Sequence, residues 1–137
     1  MNLFKRYAIS FGIAGFFLYF FTLWVEKKNE GKMPHNLSTK KEETVTINLQ
    51  PKRYHEKCLD LSKNVELKFG FNSDKSLSFN LHYHDDGETI YLINEDPIDN
   101  IENIFEPKKR AYFCLTWINS GKKESEIKYY YKIEKKS

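Results

Sequence analysis

Beyond residue 43 the chain alternates polar and apolar side chains with a period of two. Thr44-Val45-Thr46-Ile47-Asn48-Leu49 alternates and stops before Pro51. Val65, Leu67, Phe69 and Phe71 alternate with Glu66, Lys68 and Gly70, and Leu77, Phe79, Leu81 and Tyr83 with Ser78, Asn80, His82 and His84. Successive side chains on a strand point to opposite faces, so each run predicts a strand with one buried face. Asp86-Gly87 marks a tight turn, and Thr89–Ile93 returns as a hairpin partner. Asn94-Glu95-Asp96-Pro97 reads as a break, and the pattern leaves the type of Ile98–Phe105 open. Ala111–Ile118 is apolar on both faces, which suits a central strand, and Ile127, Tyr129, Tyr131 and Ile133 alternate in a closing one. Strands are therefore expected near 45–49, 65–71, 77–84, 88–93, 111–118 and 126–133. No helical period occurs in this part, and short strands at such spacing predict an all-β, antiparallel, jelly-roll-like β-sandwich over residues 44–134.

The first 43 residues follow other rules. Residues 7–25 carry no charge, and as a helix they would reach roughly 28 Å, close to the hydrocarbon thickness of a bilayer. Lys5 and Arg6 precede the run and Glu26, Lys27 and Lys28 follow it, with Tyr7 and Trp24 at interfacial depth. A cleaved signal would need small residues after the apolar run, where Thr-Leu-Trp-Val-Glu stands instead. The chain is thus expected to hold a short tail (1–6), a single transmembrane signal-anchor (7–25) and a polar tether (26–43) ahead of the folded domain. Orientation is contested. Lysines after the span outnumber the basic residues before it, which by the positive-inside tendency would put the domain in the cytoplasm.

The 137 residues include 22 Lys and Arg against 19 Asp and Glu. That interleaved balance argues against nucleic acid as a partner. Eleven Phe and nine Tyr exclude a disordered polymer. No Gly-x-Ser-x-Gly elbow or phosphate-cradling glycine loop occurs, so the chain is not expected to be an enzyme.

One ligand group stands out. His82 and His84 share a face of their strand with Cα atoms about 6.5–7 Å apart, close enough to reach one ion. Asp85, Asp86 and Glu88 are neighbours in sequence, and His55 would be a third nitrogen if the fold brought it near. Zinc or copper(II) suits such ligands. The opposing reading keeps both histidines on a solvated face with Ser78 and Asn80. Tyr129-Tyr130-Tyr131 poses a similar choice between a stacking platform and cross-strand packing. Tyr130, together with the Lys108-Lys109-Arg110 turn, is a candidate partner surface.

The order Tyr54-His55-Glu56-Lys57-Cys58-Leu59, then the strands Val65–Phe71 and Leu77–Tyr83, then Tyr112-Phe113-Cys114-Leu115-Thr116-Trp117-Ile118-Asn119, resembles the GOLD (Golgi dynamics) domain over about residues 50–133. That family's cargo adaptors bridge cysteines at places similar to Cys58 and Cys114. The resemblance implies a disulfide between them, with Cα atoms about 4.4–6.8 Å apart, against the alternative of two free thiols in a cytoplasmic protein. A bridge requires an oxidising space and would put the domain outside, periplasmic or lumenal. The adaptors' C-terminal span and coiled coil are missing, so cargo sorting is not implied. The expected function is a membrane-anchored, extracytoplasmic, non-catalytic module recognising a protein or lipid partner. The alternative is a periplasmic metal-binding accessory protein using the His-x-His strand.

Overall fold

The computed structural model describes residues 34–137, and every regular element in them is a strand. These are β1 (Leu37–Ser38), β2 (Glu42–Leu49), β3 (Arg53–Leu61), β4 (Val65–Asp85), β5 (Glu88–Phe105), β6 (Ala111–Asn119) and β7 (Ser125–Lys135). The expected tail 1–6 and span 7–25 lie outside the described residues, as does 26–33 of the expected tether. Among the described residues no helix is long and apolar enough to cross a membrane. Leu37–Ser38, inside the expected tether, pairs in parallel with Cys58–Leu59 of β3.

All seven strands belong to one mixed, curled sheet with the order β1-β3-β6-β4-β7-β2, and β5 alongside β4. The long β4–β5 hairpin is its spine. The first half of β4, Val65–Ser73, pairs with β7, while Ser78–Tyr83 in its second half pairs with β6. β5 follows both halves. The expected gap between strands 65–71 and 77–84 is therefore a bend within one strand. Register shifts between Asn72 and Leu77 mark a bulge there, and the Ser73 hydroxyl donates to the carbonyls of Lys75 and Asp99. A bulge of this kind bends a strand without ending its ladder. Pro97 does not break β5 either, because it falls opposite the irregular stretch of β4 and costs few ladder bonds on an edge strand.

The result is a half-barrel rather than a sandwich of two separate antiparallel sheets. Its concave face holds the side chains that the period-two pattern assigned to the core: Leu67, Phe69 and Phe71, then Leu77, Phe79 and Leu81, then Ile127, Tyr129 and Tyr131, all buried. The two halves meet through aromatic rings. Trp117 of β6 stacks on Tyr129 of β7 with centroids 4.4 Å apart, although those strands are not paired. Phe79 lies 5.2 Å from Phe71 and 5.6 Å from Trp117. β6 is central as expected, with Phe113 through Trp117 buried on both faces.

Strand β3 was not among the expected strands. Its concave positions His55 and Lys57 are polar, so alternation is lost on that stretch. Those two residues line the open seam between β3 and β2. Lys57 Nζ lies 2.6 Å from Glu43 Oε2, and His55 Nε2 is 3.0 Å from the Tyr129 hydroxyl. The segment from β1 to β2 spans the seam at one end, where Ser38 Oγ and Tyr131 Oη are 2.6 Å apart.

Candidate functional site

The convex side of the sheet carries the candidate chemistry in two patches. The first lies over β3, β6 and β4. Register places Cys58 opposite Cys114 and Cys114 opposite His82, so the three side chains form one row. Cys58 and Cys114 are joined in a disulfide with Cα atoms 4.0 Å apart. That is a little closer than the expected range of about 4.4–6.8 Å, between residues directly opposed in the antiparallel ladder.

The next row holds Glu56, Thr116 and Asn80. His82 Nδ1 donates to Asn80 Oδ1 at 2.7 Å, and its Nε2 faces Glu56 Oε1 at 3.6 Å. The Thr116 hydroxyl donates to the same Glu56 oxygen at 3.1 Å. His82 and Asn80 are only 6% and 7% exposed, so the solvated face expected for them is, with Thr116, a closed polar network, while His84 beside them is exposed as expected. Burial holds the His82 pKa below its ordinary value, opposed by the Glu56 carboxylate and reinforced by His84.

The three histidines separate. His82 and His84 share the convex face, with ring centroids 5.1 Å apart. His55 pairs with Trp117 in register and sits on the concave side, packed on the Trp117 and Tyr129 rings. The structure therefore does not bring His55 to the pair. Among the described residues, the potential metal ligands that cluster are Glu56, Cys58 and Cys114, within 4.8 Å of one another. Their sulfurs are bonded to each other, and metal coordination requires thiolate.

The second patch lies over β2, β7, the first half of β4 and the end of β5. Register aligns Thr44, Tyr130, Gly70 and Glu102 in one row across four strands. A Cβ on Gly70 would stand 2.8 Å from Tyr130 Cε1 and 3.2 Å from Cζ, so the tyrosine ring occupies the space a side chain would take. The Tyr130 hydroxyl reaches across and donates to Glu102 Oε1 at 2.7 Å, which raises its pKa. Around it opens a groove of about 910 Å³ lined by Thr44, Lys68, Lys132, Glu102 and Ile104 among others. A smaller hollow of about 350 Å³ continues past Asn72, Asn100 and Lys128. Glu134 binds both Lys68 and Lys132 at 2.6 and 2.7 Å, and these ammonium groups hold its carboxyl down to about 2.

Of the candidate partner surface, only Tyr130 lies in this groove. Lys109 and Arg110 of the β5–β6 turn bond Asp85 and Asp60, and Lys108 borders a separate hollow with Tyr83, Leu92 and Phe105. Gly70 and Glu102 went unnoticed in sequence. A glycine inside an alternating strand is a signal of close approach, and Gly70 was that signal.

No known protein family matches the chain, so the GOLD resemblance finds no support there. No curated protein matches it either. Solved structures do. The chain is similar to a mitogen derived from Yersinia pseudotuberculosis, at 12% identity and a TM-score of 0.53, over 70% of this chain and 88% of that one. It is also similar to the pre-peptidase C-terminal domain of a collagenase from Bacillus anthracis, at 12% identity and a TM-score of 0.54, over 76% of this chain and all of that one. At such identity the likeness establishes a shared fold: a small, all-β curled sheet domain.

Proposed function

We propose that the protein is a membrane-tethered, non-catalytic binding module whose β-domain faces an extracytoplasmic space and recognises its partner across the groove at Tyr130. The observation that carries this reading is the groove itself, an open hollow on a face where four strands align their convex side chains. Extracytoplasmic placement rests on the disulfide, since such bonds persist in oxidising compartments. It outweighs the lysine count around residues 7–25. Anchoring rests on the uncharged run 7–25, which is long enough to cross a bilayer.

Absence of catalysis is argued from the environments of the reactive groups. Both sulfurs are bonded, His55 is held between aromatic rings, and His82 is closed in by Asn80 and Glu56. The concave face is filled with Trp117, Tyr129, Phe79 and their neighbours, leaving the outer groove as the roomier place for a ligand. This favours a protein or another extended polymer over the acyl chain of a lipid.

A photoreactive amino acid placed at Thr44, within the groove, tests the reading against one placed at Lys63 in the β3–β4 turn. Illumination of intact cells should yield an adduct from position 44 and none from position 63. Equal labelling, or none from position 44, would refute it.

A further inference from the structure

The chemistry of the groove narrows the ligand class. Resting on the reading above that the groove is the recognition surface, we propose that it binds a neutral pyranose oligosaccharide, with the Tyr130 ring as its floor. That ring lies against the Gly70 backbone, in the space a side chain there would take, and its hydroxyl is fixed by the bond to Glu102. The same residue lines both hollows of the groove. An immobilised flat aromatic surface packs against the C–H face of a sugar ring with little entropy left to lose, because both partners are already rigid.

The walls supply what the hydroxyls of a sugar need. Asn72 and Asn100 line the continuation of the groove, and Asn103 and Thr44 its wider part. The Asn103 carbonyl oxygen already accepts from the Ile104 amide, which leaves its NH₂ as a donor. Amide and hydroxyl groups beside an aromatic floor match vicinal diols, each of which both donates and accepts. Two connected hollows, about 910 and 350 Å³, fit a chain of several rings better than a single one.

Charge complementarity points the same way. Lys68 and Lys132 are both bonded to Glu134, Glu43 is bonded to Lys57 and Lys40, and Glu102 holds the Tyr130 hydroxyl. Of the remaining charged residues lining the two hollows, Lys128 and Glu42 form no ion pair among the described residues, one of each sign. A polyanion such as nucleic acid or an acidic lipid surface would therefore find a single unpaired cation with a carboxylate in the same groove. A neutral polyol disturbs none of these pairs.

The full-length chain, held in a detergent without a sugar headgroup, should be titrated with hexasaccharides of glucose, N-acetylglucosamine, mannose and galactose while the tyrosine ring resonances are followed by NMR. At least one should bind with a Kd below about 1 mM and shift the Tyr130 ring. Tyr130→Ala should weaken it about tenfold or more, while Tyr130→Phe, which keeps the floor, should stay within about threefold. Asn100→Ala should weaken it as well and guards against a folding defect in the first variant. The inference is overturned if none of the four binds at several millimolar, or if Tyr130→Ala binds as well as the unaltered chain. In that event an adduct from position 44 would still uphold the groove as a recognition surface for a polymer that is not a glycan. Failure of both would remove the surface altogether.

Discussion

The two convex patches start from the same rule and end differently. Each is a set of outward side chains brought into rows by strand register. Over β3, β6 and β4 the rows are sealed by a disulfide and a buried polar network in which Glu56 accepts from Thr116 and faces His82. Over β2, β7 and β4 the central row contains a glycine, and a tyrosine fills the place of its missing side chain. In the first patch the disulfide and the buried polar network commit the central side chains to one another. At Tyr130 the ring is supported on backbone, with amides beside it, at the edge of an open groove. Position on the outer face of a sheet therefore says little about function until neighbouring rows are known.

The contrast can be broken most forcibly at the sulfurs. Cys58→Ala with Cys114→Ala should destabilise the domain by about 2–5 kcal/mol, read from denaturant unfolding, because the bond constrains a long loop in the unfolded chain. In cells, thiol labelling of the unaltered protein without reductant should find neither cysteine reactive. Free thiols would remove the argument for an oxidising compartment. Next comes the glycine. Gly70→Ala places a Cβ 2.8 Å from both the Ile101 carbonyl oxygen and the Tyr130 ring, and overpacking of that kind should cost about 1–3 kcal/mol. Ring resonances of Tyr130 should move in the same variant. Unchanged ring shifts would show that the tyrosine does not rest on that glycine.

A smaller effect separates the patches by pH. Burial lowers the His82 pKa in the folded state below its ordinary 6.5, so the unfolded chain binds the proton first as pH falls. His82 should therefore contribute stability above about pH 6.5 that is lost progressively as pH drops from there to its lowered folded value. His55 is lowered by burial and by Lys57 and adds a slope of the same sign from the concave side. His82→Gln should flatten the slope in part, measured as the urea midpoint at successive pH values, and leave the His55 portion. A slope unaffected by the change would mean that His82 is not held neutral. Smallest of all, Arg110→Ala removes a solvent-screened pair with Asp60 and should leave the urea midpoint essentially unchanged.

Much of the architecture was legible along the chain. Alternation located the closing strand, whose Ile127, Tyr129 and Tyr131 are buried while Lys128 and Lys132 are exposed. Apolarity on both faces marked β6 as central, flanked by β3 and β4. β3 escaped because His55 and Lys57 occupy its concave positions to bond across the seam, a role no local pattern announces. Asn94-Glu95-Asp96-Pro97 reads as a break and residues 72–76 fall between two expected strands, because neither stretch keeps the alternation. In the fold both lie inside one hairpin, residues 73–76 bulging between the Asn72–Asn100 and Leu77–Ile98 pairs and Pro97 falling at the next irregularity, between Leu77–Ile98 and Phe79–Glu95.

By itself the sequence determined which residues face inward and which outward in β2, β7 and the two halves of β4, since that depends only on the two-residue repeat of the extended backbone. It also determined the uncharged run at 7–25, a matter of composition. Tertiary structure alone decided which outward residues became neighbours. Tyr130 meets Gly70 and Glu102, and Cys114 meets Cys58 and His82, through pairings between strands far apart in sequence. The physical reason lies in register. A shift of one residue in any of these ladders would leave each strand's own alternation intact yet exchange its faces, and with them both the sealed patch and the open groove.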